Sequence, residues 1–146
     1  MKKSNRSAYE AALHLLEYRA QSEYEIRTKL KRRGYEDEDI EKAVEKLYFY
    51  HYLNDEELAE EIFVNYRDFL LYGDRYIQGK MKLRGLTCRH HLTEAEEREK
   101  AKLALEKKAA AVPDIRDNYR RAAGFLLRRG FSYAAVSFAL GNKEEF

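Results

Sequence analysis

Apolar residues recur along this chain at the three- and four-residue spacing of amphipathic helices, and one such pattern is written three times. Lys29-Leu30-Lys31-Arg32-Arg33-Gly34-Tyr35, Lys80-Met81-Lys82-Leu83-Arg84-Gly85-Leu86 and Phe125-Leu126-Leu127-Arg128-Arg129-Gly130-Phe131 close three segments whose glycines stand 51 and then 45 residues apart. Four residues before each glycine sits Leu30, Met81 or Leu126, and eight before sits Ile26, Ile77 or Ala122. Twelve before stands Ser22, Gly73 or Asn118, each an acceptable N-cap, so each segment predicts a helix of about twelve residues. Cationic side chains in the last turn oppose the negative end of the helix. Glycine then takes the left-handed conformation that closes it, and the apolar residue that follows folds back onto the last turn.

Another amphipathic helix precedes each of these. Ala8, Ala12, Leu15, Leu16 and Arg19 share a face in the first segment, and Leu58, Ala59, Ile62, Phe63, Tyr66, Phe69 and Leu70 do so in the second. In the third, Thr93 and Glu96 form a capping box ahead of Ala101, Ala104 and Leu105. A third helix follows the glycine, marked by Ile40, Ala43, Val44 and Leu47 in the first repeat and by Tyr133, Val136, Ala139 and Leu140 in the last. The middle repeat has only Cys88-Arg89-His90-His91-Leu92 at that place, which predicts a shortened or fused helix. The expected fold is all-α: three tandem three-helix repeats, at 1–52, 53–92 and 93–146. Units this small bury little alone, so they are expected to pack end to end into an elongated, curved array.

Composition narrows the function. Of 146 residues, 45% are hydrophobic and 37% charged, which permits a core beneath a heavily charged surface. The single proline, Pro113, fits a chain of largely uninterrupted helix. A net charge of only +2 means that attraction to nucleic acid would depend on local clusters of Lys and Arg. Cys88 is alone, so no internal disulfide forms. No apolar run is long enough to span a bilayer, and the basic start (Met1-Lys2-Lys3-Ser4-Asn5-Arg6) leads into an amphipathic helix rather than a signal-peptide core. These features predict a cytoplasmic protein.

Several of these strings together resemble one family. Phe125-Leu126-Leu127-Arg128-Arg129-Gly130-Phe131-Ser132, with Val136 and Ala139-Leu140 after it, resembles the C-terminal signature of the bacterial RecX regulators. Tyr52-Leu53-Asn54-Asp55-Glu56-Glu57-Leu58-Ala59, running to Val64, is similar to the opening of that family's second repeat, with Leu58 where phenylalanine is usual. Ala12-Leu13, Ser22-Glu23-Tyr24-Glu25 and Lys29-Leu30 up to Gly34 resemble its first repeat, and His91 departs from its pattern where an apolar residue is expected. The resemblance covers about residues 8 to 141. It implies a regulator in DNA repair, recombination and the SOS response, and a monomer is expected. Such a protein lies in the groove of the RecA recombinase filament on single-stranded DNA and restrains strand exchange, ATP hydrolysis and co-protease activity. It implies no catalytic centre and no cofactor, and it leaves direct contact with the single strand open.

The residues themselves offer one set of candidates for partner or nucleic-acid binding. These are Lys29, Lys31, Arg32 and Arg33 in the first repeat, Lys80, Lys82 and Arg84 in the second, and Arg120, Arg121, Arg128 and Arg129 in the third. Dipole complementation and solubility account for any one of them; as a recurring set they can meet phosphates or an acidic protein groove. The aromatic run Tyr48-Phe49-Tyr50-His51-Tyr52-Leu53 is read as a core hinge between the first and second repeats. A platform for stacking bases is disfavoured there by the nearby acids Asp55, Glu56 and Glu57. Cys88, His90 and His91 do not make a metal site, because adjacent histidines diverge and no further ligand cluster completes the set. A helix-turn-helix DNA-binding regulator is the alternative, but Tyr133–Leu140 carries no arginine, lysine, asparagine or glutamine to read base edges, and Glu38–Lys46 is rich in acids.

Overall fold

The structure, a computed structural model, describes residues 5–141. Residues 1–4 of the basic start and residues 142–146 of the third repeat lie outside them. Eight α-helices account for most of the described chain, and no strand occurs among the described residues. They are α1 (Ala8–Tyr18), α2 (Glu23–Arg32), α3 (Asp37–Phe49), α4 (Asp55–Phe69), α5 (Asp74–Leu83), α6 (Glu94–Ala111), α7 (Tyr119–Arg128) and α8 (Tyr133–Leu140). A 3₁₀ turn, Pro113–Asp117, separates α6 from α7 where the only proline removes a backbone donor.

The helix boundaries follow local chemistry. Ser22 accepts from the N–H of Glu25 while the Glu25 carboxylate accepts from the N–H of Ser22, and Thr93 and Glu96 repeat this reciprocal cap at α6. Gly34, Gly85 and Gly130 all adopt positive φ, at 92°, 74° and 88°. After each, the next N–H reaches back five residues: Tyr35 to the carbonyl of Leu30 (3.2 Å), Leu86 to Met81 (2.9 Å) and Phe131 to Leu126 (3.3 Å). Those three follow-on residues are buried, as are Leu30, Met81 and Leu126 and, one helical turn earlier, Ile26, Ile77 and Ala122. The expected motif is therefore present three times, and each copy anchors a helix end to a core.

The chain divides into two compact units, with boundaries inside α4 and α5. One unit comprises residues up to Glu61 together with Met81–Thr87; the other comprises Ile62–Lys80 and the chain from Cys88 onward. In the first, Ala12, Leu15, Ile26, Leu30, Val44 and Leu47 interlock α1, α2 and α3. In the second, Ala101, Leu105, Ile115, Leu126, Phe131 and Val136 join α6, α7 and α8.

Three expectations are corrected. No helix lies between Leu83 and Glu94: the third helix of the middle repeat is replaced by a loop. Asp74 fixes that loop by accepting from the N–H of Leu92 (2.9 Å) and pairing with Nδ1 of His91 (2.7 Å), while Gln78 donates to the carbonyl of His90 (2.9 Å). Phe69, expected on the inner face of α4, is 77% exposed at the helix end. The third helix that Tyr133 marks is present as α8, with Tyr133, 75% exposed, at its first position. The run from Tyr48 to Tyr52 is also exposed rather than core, and only Leu53 at its end is buried.

Within each unit a helix start rests on a glycine turn. In the first, the Ser22 hydroxyl at the head of α2 donates to the carbonyl of Arg84, and Tyr24 covers Gly85 so closely that a Cβ there would lie 2.3 Å from its own Cβ. In the second, the N–H of Gly73 at the head of α5 donates to the carbonyl of Arg129 (2.8 Å), and a Cβ on Gly130 would lie 2.3 Å from the backbone nitrogen of Tyr76. The joint is one device used twice. At Gly34 the same turn carries nothing within 4 Å of an added Cβ.

Candidate partner-binding surface

The cationic residues at and around the glycine turns divide sharply once their neighbours are known. Arg33, Arg84 and Arg129 occupy the same register, one residue before the glycine, yet have three environments. Arg33 is exposed. Arg84 inserts between carbonyl and carboxylate groups, donating to Glu25 (Nη2 to Oε1, 2.9 Å) and to the carbonyl of Ala20 (2.8 Å). Arg19 grips the other oxygen of Glu25 at 2.8 Å. Burial pushes the Glu25 carboxyl upward, but the Arg84 guanidinium, the Ser22 N–H and Arg19 together hold it below its ordinary value.

Arg129 has no such acid. Its guanidinium lies 4.4 Å over the ring of Tyr72 and 5.3 Å over that of Phe125, and its buried Nε has no hydrogen-bond partner. Ring faces take the place of a carboxylate there. Tyr72 in turn stacks on Tyr76 at 3.9 Å, and Lys80 stands 5.3 Å over the far ring. Arg84 and Arg129 are thus committed to holding the two joints together.

The remaining candidates face outward to different degrees. Lys29 is half-buried; burial lowers its pKa, and it donates to Oε1 of Gln21 at 2.8 Å. Lys31 pairs with Asp37 at 3.2 Å, a contact so exposed that it contributes little. Among the described residues Arg32, Arg33, Lys82, Arg120, Arg121 and Arg128 are exposed and carry no ion pair. Arg120 and Arg121 occupy the first turn of α7 rather than its last. There the helix dipole opposes positive charge, so dipole complementation does not explain them.

Elsewhere, buried Lys100 on α6 closes α4 by donating to the carbonyls of Tyr66 (3.3 Å), Arg67 and Leu70 (2.8 Å). Burial lowers its pKa. Nothing in the spacing of the charged run from Glu94 to Lys108 singles this lysine out, although its place one residue before the buried Ala101 puts it near the inward face. Cys88 is buried and its sulfur accepts from the N–H of His90 at 3.4 Å. No metal-competent group of three His, Cys, Asp or Glu residues occurs among the described residues.

The family model described as the first three-helix domain of RecX matches residues 8–47, and that of the third three-helix domain matches residues 95–140. A regulatory protein RecX from Vibrio campbellii is 32% identical over 145 residues, which is 95% of this chain and 93% of the relative. The chain belongs to the RecX family. A RecX from Bacillus velezensis is 30% identical over 95% of this chain but only 56% of its own length. The crystal structure of RecX from Lactobacillus salivarius superposes with a TM-score of 0.74 over 92% of both chains, at 22% identity, and shares the fold. RecX proteins are regulators with three-helix domains, and this chain carries the first and third of them around the two glycine-turn joints. Among the described residues no helix is long and apolar enough to cross a membrane.

Proposed function

We propose that this protein binds RecA recombinase filaments and restrains their recombinase, ATPase and co-protease activities, without catalysing a reaction itself. Family membership supplies the class of partner. The observation that carries the reading is the set of exposed, unpaired arginines, above all Arg120 and Arg121, which sit where the helix dipole disfavours them. A cost in the isolated protein is accounted for if a partner's negative charge offsets it. Arg32, Arg33 and Lys82 offer further contacts on the first unit, and Lys80 and Arg128 do so on the second, each taken within its own unit. The protein acts as a cytoplasmic monomer built from the repeats 1–52, 53–92 and 93–146.

The test is RecA ATPase on single-stranded DNA, with filament binding followed across salt. Charge reversal at Arg120 and Arg121 (Arg→Glu) is expected to weaken binding at least tenfold at low salt and to flatten its salt dependence, with the thermal stability of the protein retained. Unchanged binding at low salt would remove these residues from the surface. A wild-type protein that leaves the ATPase unaltered would overturn the RecA reading, and tight sequence-specific binding to duplex DNA would restore the helix-turn-helix alternative.

A further inference from the structure

Two of the three glycine turns are filled, and they show what a filled turn requires. At Gly85 and at Gly130 the start of a helix lies so close that a Cβ on the glycine would come within 2.3 Å of it. In both, the carbonyl of the arginine before the glycine accepts a hydrogen bond from the residue that precedes that helix. The donor is the Ser22 hydroxyl at Arg84 and the Gly73 N–H at Arg129 (2.8 Å). In both, the guanidinium of the same arginine is held as well, by the Glu25 carboxylate in one and by ring faces in the other. At Gly34 none of these three conditions is met among the described residues. Nothing stands within 4 Å of an added Cβ, no group donates to the carbonyl of Arg33, and its guanidinium has no ion pair. Four acids, Glu36 to Asp39, follow the turn directly, yet none pairs with Arg33; Lys31 takes Asp37 at 3.2 Å and Lys42 meets Glu38 at 3.7 Å.

Register decides which of the two solutions Arg33 requires. Arg129 has a ring in its own helix one turn back, Phe125, whereas Arg84 has Lys80 at that place and Arg33 has Lys29. Arg33 therefore lacks the ring that serves Arg129 and matches Arg84, whose guanidinium takes a carboxylate from the third residue of the seated helix. The start of α7 is the counterpart of those two seated helix starts, and its Tyr119, Arg120 and Arg121 are exposed. It carries Arg121 in the place of Glu25, so a second copy brought to Gly34 would set like charges together.

We propose that the Gly34 turn is a docking site for the start of a helix from a partner protein, one with serine or threonine before its first residue and glutamate at its third. The hydroxyl donates to the carbonyl of Arg33, the glutamate accepts from the Arg33 guanidinium, and the first turn rests on Gly34, where no side chain intervenes. Charge favours the contact twice. The carboxylate meets a cation, and the positive start of the incoming helix lies against the negative end of α2. The proposal rests on the reading of Arg33 as a partner contact and names the chemistry it meets; it does not depend on which protein supplies the helix.

The experiment is an NMR titration of the full chain, without recombinase, with a helical peptide carrying residues 21–32 of this chain, the segment whose start fills the Gly85 turn. A side-chain staple holds the peptide helical, since a dozen residues alone would not stay so. Saturable shifts of the Arg33 and Gly34 amides are expected. Glu25→Gln in the peptide should weaken binding roughly fivefold, and Arg33→Glu in the protein by at least as much. Combining Glu25→Lys in the peptide with Arg33→Glu in the protein should restore most of that loss, which a merely structural role for Arg33 would not do. Gly34→Ala should abolish binding while the helical circular dichroism spectrum is retained, because the added Cβ meets no atom of the chain itself. Absence of saturable shifts at Arg33 and Gly34 in the wild type would overturn the site, as would a Glu25→Gln peptide that binds as well as its parent. Shifts of the same amides on concentrating the protein alone would overturn it in favour of a second copy. Equal shifts from an oligo-dT strand at the same concentration would overturn it in favour of a phosphate chain. With no recombinase present, loss of the site leaves the RecA reading untouched, and failure of the ATPase assay leaves the site standing.

Discussion

The two joints solve one problem with different side chains. In the first unit the head of α2 meets the turn at Gly85, and Arg84 is fixed by the Glu25 carboxylate, which Arg19 also grips, and by the carbonyl of Ala20. In the second, the head of α5 meets the turn at Gly130, and Arg129 is fixed by Tyr72 and Phe125 with no carboxylate. The backbone contact is shared, as is the close approach that only glycine permits. What differs is the means of stabilising a partly buried guanidinium: charge pairing in one, ring faces in the other. A repeated fold therefore preserves the geometry of a contact while leaving its chemistry free, and residues in identical register need not share a role.

The largest effect is expected from the glycines themselves. Gly130→Ala combines a left-handed backbone with a Cβ driven into the backbone of Tyr76, and should cost about 3–5 kcal/mol in chemical denaturation. Gly34→Ala places the same residue in the same conformation with open space around it, and should cost only about 1 kcal/mol. Equal losses at the two positions would mean that the joint adds nothing to the turn.

Acid should distinguish the joints next. The Glu25 carboxyl is held below its ordinary value of 4.5, so its contribution is complete above that pH and is lost as pH falls through the lower value of the folded protein. Glu25→Gln should cost about 2–3 kcal/mol at neutral pH, because it leaves Arg84 and Arg19 without their anion. As pH falls below 4.5 the difference from wild type should shrink; Tm measured across that range checks it. A gap that stays constant down to pH 3 would show that charge pairing is not what holds Arg84.

The smallest effect concerns Arg129. Arg129→Lys keeps the charge but loses the planar group that lies on Tyr72 and Phe125, and should cost about 0.5–1 kcal/mol. That cost should be insensitive to salt and, between pH 4 and 8, to acid, in contrast to the Glu25 variant. Marked salt dependence would point to an acidic partner for Arg129 instead of ring faces.

Much of the architecture was legible before any coordinates, because its signals are local. Leu30, Met81 and Leu126 at fixed distance from a glycine, and Ser22 and Thr93 with a glutamate three residues on, specify helix ends through contacts within one turn. The loop at Cys88–Leu92 was less legible because what orders it is Asp74, which lies more than a dozen residues earlier. The aromatic run after α3 misled for a related reason. Its composition matches a core, but α3 directs Ile40, Ala43, Val44 and Leu47 inward, which leaves Tyr48 and Phe49 at its end off that face, and Tyr50 and Tyr52 come after the helix has stopped. Periodicity locates such a face only while the helix lasts. Among the cationic candidates, register alone placed Arg33, Arg84 and Arg129 together; the neighbours that separate them come from distant segments of the chain.

Lys100 gives the fold an internal clock. Its ammonium is occupied by the last carbonyls of α4, while Lys102, two residues on, stands in solvent. An amine-reactive reagent should therefore mark Lys102 at once and Lys100 only when the end of α4 lets go. The ratio of the two labelling rates then reads the free energy of that local opening, without unfolding the rest of the chain.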